Sequence, residues 1–278
     1  MRRSEKVVRY SQPMFLVMIA FGCVVSSCAI ILLTKQDADG EDAEDAKVAA
    51  DFACMSLPWF YSMGFVLSFA PLYCKMWKVV EVFVKAVAEL KVTRIKASQL
   101  VGMIFVLVVV DGSILAAWTA TNPLAYTRTA LSVDGKGRVL ESYGSCLPQD
   151  SSGPLWIFVA LIASFHFCLL VGACFIAYKA RNVSSAFSES KWIAICLVSN
   201  LQIFVIGLPV LAIVADDPEA NFFIRAMIIF LNDLSVLLLI FLPKLLSQEL
   251  GWFNAANSTS RNYTVKSKTG ATSAISET

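Results

Sequence analysis

Asp111, His166 and Asp233 each stand near the middle of a long run of residues that is otherwise almost free of charge. An ionisable group placed that deep in apolar sequence is costly and is a candidate for function by default. Two chemistries are open to the three. They could form a path for a proton or an ion, or each could be neutral or paired with polar neighbours such as Asn200, Gln202 or Asn232, joining helices. No charged partner stands at matching spacing, which favours the helix-joining reading. Other chemistry is poorly provided for. The chain has one histidine, and its eight cysteines include no CxxC pair, so the residues of a zinc site are lacking and a Ser/His/Asp triad is not indicated. No metal, cofactor or catalytic residue is expected, and the protein is read as something other than an enzyme.

These side chains must be positioned by the runs that contain them. Six apolar runs are long enough to span a bilayer: Met14–Thr34, Phe52–Cys74, Leu100–Ala120, Pro154–Tyr178, Trp192–Ala215 and Phe222–Leu242. A helix of about 20 residues crosses a hydrocarbon layer of ~30 Å. The runs are apolar on all sides, unlike the one-sided stripe of a soluble helix, and they lack the short alternating strands of a barrel. With 57% hydrophobic and 16% charged residues, the chain cannot cover a soluble surface of its size. The expected fold is therefore an all-α membrane protein, a bundle of six transmembrane helices. The opening MRRSEK followed by an apolar run is read as a retained helix, because the run exceeds a signal h-region of ~7–15 residues.

Orientation follows from lysine and arginine. Segment 1–13, loops 75–99 and 179–191 and the tail after Leu242 together hold 17 of the 23 basic residues. The positive-inside rule places that side, with both termini, in the cytoplasm. The expected organisation is a cytoplasmic segment 1–13, a transmembrane domain 14–246 and a disordered cytoplasmic tail 247–278, rich in Ser, Thr, Asn and Gly. The acidic run Gln36–Lys47 then lies outside and reads as a solvated loop. The sequons at Asn182, Asn257 and Asn262 fall away from the glycosylation machinery. No basic block indicates nucleic acid.

The stretch from Cys54 to Lys78 is the element that joins these environments, with a cysteine at its outer end and two lysines, Lys75 and Lys78, at its inner end. Cys54 and Cys146 are the two cysteines placed on the oxidising side, which predicts a disulfide between them. Cys23, Cys28, Cys168, Cys174 and Cys196 lie in apolar runs and read as small packing residues. Pro71, Pro209 and Pro243 mark places where a helix can bend. Trp59, Phe60, Tyr61, Trp118 and Trp156 lie toward the outer ends, where most read as an interfacial belt.

Ordered motifs add a resemblance. SQP at Ser11–Pro13, the outer Cys54, CKMWKVVEVF at Cys74–Phe83 and Trp118 followed by NPL at Asn122–Leu124 come first. Cys146, AYKARNVSSAFSESKWIAI at Ala177–Ile195 and FLPK at Phe241–Lys244 follow. The chain resembles the transmembrane domain of class C G-protein-coupled receptors, and within them metabotropic GABA-B receptors, over residues 10 to 246. It departs by reading NPL where the family commonly has DPL. It also begins in what resembles the first cytoplasmic loop, so the family's first helix and ectodomain are expected to be missing and the chain to be a shortened form. The resemblance implies an Asp111–His166 pairing inside the bundle and assigns Asp233 no counterpart. It implies a resting-state lock between Lys75 and Glu189. It implies heterotrimeric G proteins as partners, facing Lys78, Lys85, Lys91, Arg94, Lys96, Lys179, Arg181 and Lys244. Receptor homo- or heterodimerisation, membrane lipid, a small-molecule agonist acting through the missing ectodomain, and a plasma-membrane location complete what it implies.

The function expected is transmission of an extracellular signal to G proteins. The alternative, motivated by Asp111, His166 and Asp233, is a six-helix ion or proton transporter or channel. Internal duplication would support it, and none is found between residues 14–120 and 154–242.

Overall fold

The computed structural model describes residues 2–34, 43–89, 97–148, 155–180, 188–215 and 217–243. Helices α1 (Arg2–Leu33), α2 (Ala43–Glu89) and α3 (Ala97–Thr121) come first. A hairpin of β1 (Leu124–Val133) and β2 (Val139–Pro148) follows, then α4 (Leu155–Ala180) and α5 (Ser188–Ile213). The last described helix, α6, runs Pro218–Pro243. All six helices are long and apolar enough to cross a membrane. A helix satisfies its backbone internally, as lipid requires, apart from the bonds lost at Pro58 and Pro71 of α2 and Pro209 of α5.

The central element is α2, which packs against α1, α3, α4, α5 and the hairpin. Its buried face, including Phe65, Val66, Phe69, Leu72 and Met76, meets Ile19 and Cys23 of α1, Leu100 and Ile104 of α3, Leu170 of α4, Leu197 of α5 and Val236 of α6 in one core. Many remaining apolar side chains point away from the protein, among them Phe105, Val106, Phe175 and Ile206. In water such a surface would be a liability; for a lipid-facing bundle it is the expected exterior.

Helices α1 and α2 bring their backbones into close contact. A methyl group added at Gly22 would run into the backbone of Leu67 and Ser68, and one added at Gly64 into Ser26. Gly22 and Ser26 on one helix, and Gly64 and Ser68 on the other, are each four residues apart, so small residues line one face of both helices. That spacing lets backbones approach where lipid offers no hydrophobic drive for association.

Two features depart from the sequence expectation. The fold is the expected helical membrane bundle, but the loop between α3 and α4 is not irregular, because residues 124–148 form an antiparallel ribbon in which Tyr126 pairs with Cys146 and Arg128 with Gly144. Its turn is built by local chemistry. Asp134 Oδ1 accepts from the Gly135 N–H at 2.7 Å, and Gly137 adopts φ 77°, a conformation that favours glycine. The second departure is the length of α2. It continues through the first half of the expected loop 75–99, because the sequence from Lys75 to Glu89 has neither glycine nor proline to stop it.

Candidate functional site

Three helices contribute one side chain each to a polar cluster in the middle of the bundle. Ser62 comes from α2, Asp111 from α3 and His166 from α4, and all three are buried. The Ser62 hydroxyl donates to both carboxylate oxygens of Asp111, at 2.8 Å to Oδ1 and 2.9 Å to Oδ2. Ser62 Oγ stands 3.1 Å from His166 Nε2, and Nε2 is 3.3 Å from Asp111 Oδ1. Since the serine proton is directed to Asp111, Ser62 Oγ is an acceptor toward the ring, and Nε2 must carry a hydrogen. Phe65 stacks on the imidazole at 4.2 Å between centroids, and Tyr61 meets its edge.

Serine, histidine and aspartate are thus together, yet the arrangement is not that of a nucleophile. In a hydrolytic triad the imidazole takes the serine proton at one nitrogen and is held by the carboxylate at the other. Here serine and aspartate both address Nε2, and the serine hydroxyl already donates to the carboxylate. What the arrangement can do is tie α2, α3 and α4 through one set of mutually dependent hydrogen bonds. Such a network is strong when complete and costly when any member is withdrawn.

Above the cluster lies a cavity of about 340 Å³, lined by Ser62 and His166, by Tyr61 and Trp118, and by Cys146 of the hairpin and Arg225 of α6. The hairpin is fixed there by two ties to the outer end of α2. Cys54 and Cys146 form a disulfide with a Cα–Cα distance of 5.5 Å. Three residues earlier, Asp51 Oδ1 accepts the Tyr126 N–H at 2.6 Å.

Asp233 of α6 is remote from this cluster in its bonding. Its Oδ2 accepts the Ser27 hydroxyl of α1 at 2.7 Å. Asn200 bonds to the Cys196 carbonyl and accepts from Ser235, joining α5 to α6 rather than serving any of the three ionisable residues.

The aromatic expectation needs correction at two positions. Trp118 is buried, and Tyr61 turns inward to the histidine; both line the cavity and are not belt residues. Packing against Leu115 and Ile162 accounts for the tryptophan's place. Trp156 and Phe60 do face outward. Among the apolar-run cysteines, Cys23 and Cys196 are buried, Cys28 and Cys174 partly so, and Cys168 is exposed.

Several residues fall outside the described part. Glu189 lies on the first turn of α5 with its side chain outside the description, so its relation to Lys75 is not among the geometric findings. The side chain of Lys85 and all of Lys91, Arg94, Lys96, Arg181 and Lys244 are likewise outside it, as are Asn182, Asn257 and Asn262. Lys78 is half-buried on α2, and Lys179 lies 4.8 Å over the Phe175 ring at the end of α4.

Sequence reasoning missed Ser62, Ser27, Asp51 and Arg225 as members of these sites. A small-residue pattern was available for the α1–α2 contact, and the Asp-Gly pair at 134–135 was available for the hairpin. Nothing comparable marks Ser62 or Ser27 among the other serines.

A six-helix bundle capped by a disulfide-tied hairpin agrees with what family comparison returns. The family described as "7 transmembrane sweet-taste receptor of 3 GCPR" matches residues 1–244. The chain belongs to the class C G-protein-coupled receptors. Gamma-aminobutyric acid type B receptor subunit 2 of Rattus norvegicus is 26% identical over 248 residues, covering 88% of this chain and 26% of that receptor. The Caenorhabditis elegans subunit 2 is 23% identical over 251 residues, covering 88% of this chain and 28% of the relative. Metabotropic glutamate receptor-like protein E of Dictyostelium discoideum is 25% identical over 239 residues, covering 85% and 26%. The chain therefore spans about a quarter of the length of these relatives. It is a multi-pass membrane protein carrying a class C receptor transmembrane domain, and the transporter alternative is not favoured. Receptors of this class are not, in general, enzymes.

Proposed function

We propose that this domain transmits a signal from its outer face to heterotrimeric G proteins at its inner face, by changing how α2 packs against α3 and α4. The observation that carries the reading is the Ser62–Asp111–His166 cluster, which joins those three helices directly beneath a cavity whose outer wall includes the disulfide-tied hairpin. A shift at the outer face must either keep this network whole or break it, since a partly satisfied buried network is disfavoured. That property favours two packings over a continuum of intermediate ones.

In this reading the lysine-rich side is cytoplasmic, with both termini, and the membrane is the plasma membrane. Lys78, Lys85, Lys91, Arg94, Lys96, Lys179, Arg181 and Lys244 face the G protein or anionic lipid, segment 14–246 is the transmitting unit, and 247–278 is a cytoplasmic tail. Lys75 and Glu189 form a lock across the inner ends of α2 and α5 that holds the resting packing. The domain works as a receptor dimer answering a small-molecule agonist, as the GABA-B likeness supports.

Nucleotide exchange on purified G-protein heterotrimers, with the chain in nanodiscs, tests the proposal. Exchange above the heterotrimer's own rate, reduced by Lys179→Glu, is the expected result. Folded protein that accelerates exchange on none of the Gα classes would overturn it.

A further inference from the structure

Asp233 differs from Asp111 in having no basic partner. Ser27 donates to Oδ2, and Ser26 and Asn232 stand near enough to act on the carboxyl. Yet Oδ1 makes no hydrogen bond, and neither does Ser26 Oγ. Both side chains are more than nine-tenths buried, Asp233 at 4% exposed and Ser26 at 0%. The other titratable groups close enough to interact with this carboxyl, Cys23 of α1 and Tyr61 of α2, bring no positive charge. Among the described residues, no lysine, arginine or histidine pairs with Asp233.

Each of these two buried oxygens lacks a partner, and one atom bonded to both would satisfy them together. An ionised carboxylate in apolar surroundings needs a balancing positive charge, which a proton or a cation can supply and a bridging water cannot. One carboxylate balances one charge, so a divalent ion would leave an excess. The donors at hand are all hard oxygens, a carboxylate, two hydroxyls and a side-chain amide, which suit an alkali cation and not a soft or transition metal. We propose that Asp233 of α6, together with Ser26 and Ser27 of α1, forms a binding site for a single sodium-sized monovalent cation. Bound there, the ion fastens α6 to the same turn of α1 that packs against Gly64 of α2. The site is separate from the Ser62–Asp111–His166 cluster and does not depend on the signalling role proposed for it.

The experiment uses the full chain in nanodiscs. Its Tm is measured in sodium chloride and in N-methyl-D-glucamine chloride at equal ionic strength and pH. A saturable rise in Tm with sodium is expected, absent in Asp233→Asn, with the midpoint sodium concentration raised at least threefold in Ser26→Ala. Should Asp233→Asn fail to fold, line broadening of sodium-23 resonance by the unaltered protein, reduced in Ser26→Ala, provides the second reading. Equal Tm in the two salts, or a sodium response that survives in Asp233→Asn, overturns the proposal. A Tm that follows pH and ignores sodium assigns the position to a proton and overturns it as well.

Discussion

Replacing His166 by phenylalanine isolates the polar contribution of the central cluster, because a second aromatic ring can keep the stack on Phe65, now 4.2 Å from the imidazole. The change leaves Asp111, 0% exposed, with a single serine hydroxyl in place of a hydroxyl and a ring nitrogen. Withdrawing one hydrogen-bond partner from a buried polar group costs about 1–3 kcal/mol. At roughly 2–3 °C per kcal/mol for a chain slightly above the 250-residue range, His166→Phe should lower Tm by about 2–9 °C. Ser62→Ala should cost less, about 0.6 kcal/mol and at most ~1.7, the range for hydrogen bonds between membrane helices. Asp111→Leu combined with His166→Phe removes charge and partner together, and replacing a buried pair by apolar side chains is often close to neutral. The double variant should therefore be more stable than His166→Phe alone, with a coupling of about 1–3 kcal/mol. With the exposed Cys168 and the partly buried Cys28 and Cys174 replaced by alanine, a thiol-reactive fluorophore reads the transition, since Cys23, Cys74 and Cys196 are free and buried until the bundle opens. If the two single losses add within ~0.5 kcal/mol in the double variant, the side chains are independent and the network argument fails.

Glu189→Lys should raise basal nucleotide exchange, and adding Lys75→Glu should return it toward the starting level; no change at equal expression would count against the lock. Peptide mapping of non-reduced protein should recover Cys54 linked to Cys146, whereas recovery of both as free thiols from folded material would contradict the tie. Gly64→Val should destabilise the domain by about 1–3 kcal/mol or more through overpacking against Ser26, read as a lower Tm; an unchanged Tm would mean that α1 and α2 are not in close contact.

The six spans were legible because length and apolarity are properties of a segment alone, and lipid allows them one backbone solution. The Cys54–Cys146 tie follows from topology, which sorts eight cysteines by compartment. The hairpin was less legible: Leu124–Val133 is polar enough to pass for a loop, and only the turn at 134–137 marks it. Rotation of the helices was the least legible property. Tyr61 and Trp118 sit at depths suited to a belt, and their inward turn depends on what α3 and α4 present to them. The same limit hides Ser62 and Ser27, whose roles come from an aspartate some fifty and some two hundred residues away.

Helix α2 also has a mechanical consequence. Its 47 residues carry Pro58 near the outer end and Pro71 nearer the inner, and each proline removes a backbone hydrogen bond and so marks a joint. From Pro58 to Lys78 is a rise of twenty residue steps, about 30 Å at ~1.5 Å per residue with Pro71 held straight. A bend of about 10° at Pro58 would carry the lysine end sideways by about 5 Å, close to one helical pitch. The fulcrum sits one turn above Ser62 and one turn below Cys54, between the hairpin's anchor and the polar cluster. With such leverage, a displacement of under an ångström beside the disulfide is enlarged several-fold at the inner edge.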